Sequence, residues 1–72
     1  MTKLEKKNKP KVSDWTAADL KNWREGHSFS QVEAAAAIGI GRQQWLPMEN
    51  GRRDVDLVVK LACAGYDALK GT

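Results

Sequence analysis

The stretch Ser30–Arg53, SQVEAAAAIGIGRQQWLPMENGRR, decides how the 72-residue chain folds. Ser30 with Glu33 three residues later is a capping box. The serine side chain satisfies a free backbone N–H of a first helical turn, and the glutamate returns a bond to the serine N–H. Ala34–Ala37 are the strongest helix formers available, so a helix opens at Ser30. Gly39 ends it, since glycine takes the left-handed conformation of a helix terminus without a Cβ penalty. After Ile40, a further helix begins at Gly41 or Arg42 and runs to about Met48, and Asn50-Gly51 marks the next turn. Two short helices on a three-residue turn cross at about 90–120°. Ala35 is small enough to let them approach, with Ile38, Ile40, Trp45 and Met48 filling the corner.

Upstream, Thr16 and Asp19 form a second capping box, and Trp15 precedes the cap where it can pack on Leu20 as a hydrophobic staple. A first helix follows from about Ala17 to Glu25, with Leu20 and Trp23 on one face and Gly26 at its end. Downstream, Asp54 is placed to cap a last helix that starts at Val55 and ends between Ala64 and Lys70. No segment alternates as a strand does. The pattern predicts an all-α domain of four to five helices over residues 14–72, preceded by a basic, flexible tail over residues 1–13.

Composition narrows the function classes. The net charge of +3 hides an asymmetry: residues 1–12 carry five lysines against Glu5, whereas residues 13–72 carry seven basic and eight acidic side chains. Attraction to nucleic acid must then come from the tail plus a local cluster rather than from the whole surface. A single cysteine, Cys63, excludes an internal disulfide and a cysteine-based metal site, and it reads as a small buried hydrophobe. No apolar run approaches the roughly 20 residues of a membrane helix, and no signal-peptide core follows the basic start. A cytoplasmic protein without cofactor, metal or small-molecule ligand is expected. His27 is a lone loop histidine, no nucleophile–base pair stands out, and no enzyme activity is expected. Trp15, Trp23 and Trp45 read as core residues.

Five elements in register then carry a resemblance: Arg24, SFSQ (Ser28–Gln31), AAAIGIG (Ala35–Gly41), the variable stretch after it, and ENG (Glu49–Gly51). Over about residues 16–65 the chain resembles the helix-turn-helix proteins of the lambda-repressor and Cro-like (XRE) family. The resemblance implies a lambda-repressor-like fold, double-stranded DNA as partner, and a transcriptional regulator, a repressor acting on a palindromic operator as a homodimer, of a kind common in phages. It also implies residue roles. Arg42, Gln43 and Gln44 face the major groove, where arginine pairs with guanine and glutamine with adenine. Gln31 touches the DNA backbone or braces the recognition helix. Asn50, Arg52 and Arg53 lie against phosphates, which position a protein without reading sequence. Arg24 and Glu49 form a structural ion pair.

Three residues depart from the family pattern. Pro47 sits inside the recognition helix, where it removes a hydrogen bond, and the expectation is a kink or an early end. Trp45 replaces a smaller aliphatic residue and enlarges the corner. Ser28 stands where the family has glycine, leaving Gly26 to take the turn. The last helix is apolar over more than the roughly 100° that one core contact requires, and Val55, Val59, Cys63 and Tyr66 are the expected homodimer face. The rival reading, from a different class, keeps the fold but applies it to a protein surface, as an antitoxin or phage accessory protein does.

Overall fold

A computed structural model describes residues 12–71; most of the basic tail, residues 1–11, and Thr72 lie outside the described residues. The described chain is all-helical, with four helices: α1 (Ala17–Gly26), α2 (Gln31–Ala37), α3 (Arg42–Glu49) and α4 (Leu57–Gly71). Among the described residues there is no strand, only a single antiparallel bridge between Val12 and Asp56. No helix among them is long and apolar enough to cross a membrane.

Local chemistry sets the helix starts. The Thr16 hydroxyl accepts from the Asp19 N–H at 3.2 Å while the Asp19 carboxylate accepts from the Thr16 N–H at 2.8 Å. Ser30 and Glu33 make the same reciprocal pair at 3.1 and 2.7 Å. Both capping boxes stand where the sequence puts them. The last helix does not start as expected. Val55 and Asp56 precede it, the Asp56 carbonyl accepts the Lys60 N–H at 3.1 Å, and α4 begins at Leu57 rather than at a cap on Asp54.

The first three helices end alike. In each, a residue with positive φ lies two places past the helix: Ser28 (59°), Gly39 (83°) and Gly51 (80°). Its N–H and the next one turn back onto the last helical carbonyls: Ser28 on Glu25 and Phe29 on Arg24, Gly39 on Ala36 and Ile40 on Ala35, Gly51 on Met48 and Arg52 on Pro47, all at 2.8–3.3 Å. These are Schellman ends, and a left-handed residue is what they need. The turn expected at Gly26 is therefore made by Ser28, because the position is fixed by the bonding pattern and not by where a glycine happens to stand. Nor does Pro47 shorten α3, which runs through it to Glu49. The missing proline N–H leaves only the Gln43 carbonyl without its in-helix donor.

The core gathers one or two side chains from every helix: Leu20, Ala34, Ala35, Trp45, Met48, Val55, Val59 and Cys63, each 5% exposed or less. Trp15, Trp23, Phe29, Ile38 and Ile40 pack around it, half-buried. Trp45 is fully buried, so the corner does accommodate the larger residue. Val12 and Ser13, assigned to the tail by sequence, are instead tied to the start of α4. The Ser13 N–H and hydroxyl both donate to the Val55 carbonyl, at 2.9 and 2.8 Å, and Lys60 Nζ reaches the Asp14 carboxylate at 2.6 Å.

The expected partner-facing set on the last helix is corrected by this packing. Val55, Val59 and Cys63 are 1%, 5% and 0% exposed and belong to the chain's own core. Tyr66 stands edge-on to Trp23, His27 and Phe29 at centroid distances of 5.8, 5.3 and 5.8 Å. The apolar arc was real, but the other helices offer α4 only one surface to seal, and these residues face it. What remains outward is Val58, Leu61 and Leu69, at 72%, 58% and 79% exposure.

Candidate nucleic-acid interface

The geometry around α3 is organised by one carboxylate. Glu49 accepts Arg24 Nε and Nη2, each at 2.9 Å, in the two-pronged arrangement that a guanidinium and a carboxylate prefer. It also accepts Gln31 Nε2 at 3.2 Å and the Trp45 indole N–H at 2.6 Å. The Glu49 side chain is 6% exposed and that of Arg24 15%. Burial alone would push this carboxyl up. The bonds from Arg24, Trp45 and Gln31, together with the Arg24 charge, more than offset it and hold Glu49 below the ordinary carboxylate value. Hydrogen bonding to Glu49 likewise raises Arg24 further above its usual range, against the opposing effect of burial. Arg24 Nη1 donates to the Phe29 carbonyl at 3.0 Å. One cluster thus joins the end of α1, the start of α2 and the end of α3.

The Arg24–Glu49 pair is where the resemblance put it, and Gln31 braces α3 through Glu49. Sequence reasoning missed that Trp45 is also a donor to this cluster. The signal was the four-residue step from Trp45 to Glu49, which places both side chains on one helix face.

The outward side of α3 has a different character. Its only carboxylate is turned inward, so what faces solvent is cationic or neutral. Arg42, Gln43, Gln44, Asn50, Arg52 and Arg53 are all exposed. They are not equally free. The Gln44 side-chain carbonyl accepts the Gly41 N–H at 3.0 Å, half of a capping box at a residue that has no side chain to complete it. The Gln43 amide folds over the same glycine, where a Cβ would lie 2.7 Å from its oxygen. Arg53 pairs with Asp56 at 2.9 and 3.1 Å. Asn50 caps the helix end through its backbone, donating to Leu46 at 2.9 Å. Arg42 and Arg52 make no ion pair within the described residues, and they stand at the two ends of a helix about 12 Å long.

Away from α3, a shallow groove of about 460 Å³ runs between the ends of α1 and α4, lined by Trp23, His27, Asp67 and Lys70 among others. Its carboxylate, Asp67, is held by Trp23 Nε1 at 3.0 Å and His27 Nε2 at 2.7 Å. Among the described residues no group of three or more His, Cys, Asp or Glu is placed to hold a metal ion. No family model, curated protein or solved structure matches the chain.

Proposed function

We propose that the protein is a sequence-specific double-stranded DNA-binding regulator of the repressor type. In this reading α2, its turn and α3 form a helix-turn-helix of the lambda-repressor and Cro-like kind. The start of α3 enters the major groove, and two copies read a palindromic operator. The observation that carries it is the division of labour around α3. The inward side is fixed by four hydrogen bonds onto Glu49, and the outward side presents Arg42 and, past the helix end, Arg52, neither of them paired with a carboxylate among the described residues. Arg42, at the first turn of α3, is the principal base contact, suited to guanine. Gln43 reads beside it after leaving Gly41. Gln44 contributes its amide N–H groups while its carbonyl stays on the Gly41 N–H. Arg52 and the Asn50-Gly51 turn meet phosphate, and Arg53 does so once released from Asp56.

Selection of genomic DNA fragments by the purified protein at about physiological salt tests this, with the Arg42→Ala/Gln43→Ala variant beside it. Enrichment of one palindromic motif by the wild type and its loss in the variant support the reading. Failure of the folded protein to enrich any motif removes it. That outcome favours a protein-interaction module on the same fold, the reading to which the internal use of Gln44 and Arg53 also points. Salt separates the two: DNA affinity falls by roughly one log unit per log unit of salt for each phosphate neutralised.

A further inference from the structure

Asp56 occupies the N-cap of α4 but does not cap it. Its carbonyl accepts the Lys60 N–H at 3.1 Å, one residue before α4 begins at Leu57. An aspartate in this place ordinarily accepts the N–H of the second or third helical residue, here Val58 or Val59. Neither of those N–H groups meets an acceptor among the described residues. The carboxylate is turned to Arg53 instead, with both oxygens on the one nitrogen Nη2, at 3.1 and 2.9 Å. One carboxylate thus faces two claims, a guanidinium and a helix start.

The pair with Arg53 is the weaker kind. Arg24 holds Glu49 with two nitrogens, Nε and Nη2, at side chains 15% and 6% exposed. Arg53 uses one nitrogen, at side chains 45% and 22% exposed. A single-pronged pair open to water is loosely held. Asp56 can leave it by turning its side chain alone. Its main chain is bridged to Val12, and antiparallel bridging keeps a residue extended, the backbone that a capping aspartate uses. Neighbouring Val55 is buried and its carbonyl holds Ser13, so the main chain stays in place. Arg53 is anchored as well: its N–H donates to the Pro47 carbonyl at 3.2 Å, which keeps its side chain beside the end of α3.

We infer that Asp56 is a two-position carboxylate regulating the phosphate contact of Arg53. In the free protein it neutralises Arg53. When a DNA phosphate takes Arg53 in the two-pronged geometry that Asp56 does not use, the carboxylate turns and caps α4. The cap offsets the broken ion pair, because free N–H groups and the positive end of the helix dipole favour a carboxylate there. Asp56 is a positioning residue, acting through Arg53 and not on the phosphate. The identity of the anion rests on the DNA reading above, whereas the exchange between Arg53 and α4 stands on the chain itself.

The exchange is tested first without DNA. Arg53→Gln frees the carboxylate, so the Val58 and Val59 amides exchange with solvent deuterium more slowly than in the wild type. Asp56→Ala then lowers the melting temperature more in the Arg53→Gln background, where it removes a cap, than in the wild type, where it removes only the surface pair. Unchanged amide exchange in Arg53→Gln, or an equal loss in both backgrounds, overturns the inference. With generic duplex DNA, Asp56→Asn keeps a capping side chain but loses the hold on Arg53, and binds roughly two- to five-fold more tightly than the wild type, the worth of a surface ion pair. DNA also slows the Val58 and Val59 amides in the wild type and not in Asp56→Ala. Equal slowing in both assigns the protection to the DNA and overturns the exchange. If no DNA binds, the DNA reading fails, while the Arg53→Gln measurements still decide whether the carboxylate has two positions.

Discussion

Helices α3 and α4 dispose of their side chains in opposite ways. In α3 the inward side holds a buried carboxylate with four donors and the outward side is polar, so the helix is fixed in orientation and leaves polar groups to solvent. In α4 the fully buried side chains, Val59 and Cys63, are apolar, and the outward side carries Val58, Leu61 and Leu69 exposed. Hydrogen bonds specify where a helix sits, because a misplaced buried carboxylate loses its partners at high cost. Apolar burial is non-directional and tolerates a choice of covering surface. One helix is thus built to be held still, and the other to seal the domain while leaving a second face available.

The largest expected effect breaks the ordered side of this contrast. Glu49→Ala strands the Arg24 guanidinium, the Gln31 amide and the Trp45 N–H, and should lower stability by about 3–5 kcal/mol, read as a fall in the urea midpoint. Trp45→Phe keeps most of the ring but deletes one donor, and its smaller loss on the same measurement separates filling from bonding. If Glu49→Ala melts as the wild type does, the cluster does not orient α3.

Acid should weaken the same cluster. Because Glu49 is held below the ordinary carboxylate value, its contribution is complete above the carboxylate range of the unfolded chain and is lost as pH falls through the lower folded-state value. Urea midpoints from pH 6 to pH 3 should drop in the wild type and drop less in Glu49→Gln. An equal drop in both would assign the acid sensitivity to other carboxylates.

On the polar outer side, Arg42→Ala should leave the melting curve unchanged while weakening binding to a selected operator by about 1–3 kcal/mol, measured by titration. A variant that loses stability instead would show Arg42 to be structural.

The smallest effect concerns the turn between α1 and α2. Ser28 sits at φ 59°, a conformation that costs an L-residue roughly 1–2 kcal/mol and glycine little. Part of that gain is returned through the greater freedom of glycine in the unfolded chain. Ser28→Gly should raise the melting temperature by a few degrees, at about 4–8 °C per kcal/mol for a domain of this size. Gly39→Ala, at φ 83° with open space around it, should lower it by a similar amount. If both substitutions move stability the same way, backbone conformation is not what the two ends share.

Much of the domain was legible before any coordinates, and for local reasons. Capping boxes at Thr16 and Ser30 and the left-handed ends at Gly39 and Gly51 depend on residues within four positions of each other, so the sequence declares them. Burial of Trp45 followed from apolar spacing alone. The Arg24–Glu49 pair came from the resemblance, since no local rule joins residues 25 apart. Tertiary structure alone decided the rest. It turned Val55, Val59 and Cys63 inward because α4 had a single surface to seal, and it put Ser28 in a glycine's place because the Schellman bonds fix the position. It also drew Gln31 onto Glu49, a pairing across 18 positions that no spacing rule could name. Short-range hydrogen bonding is written in the order of residues, whereas the choice among several apolar faces belongs to the whole packed chain.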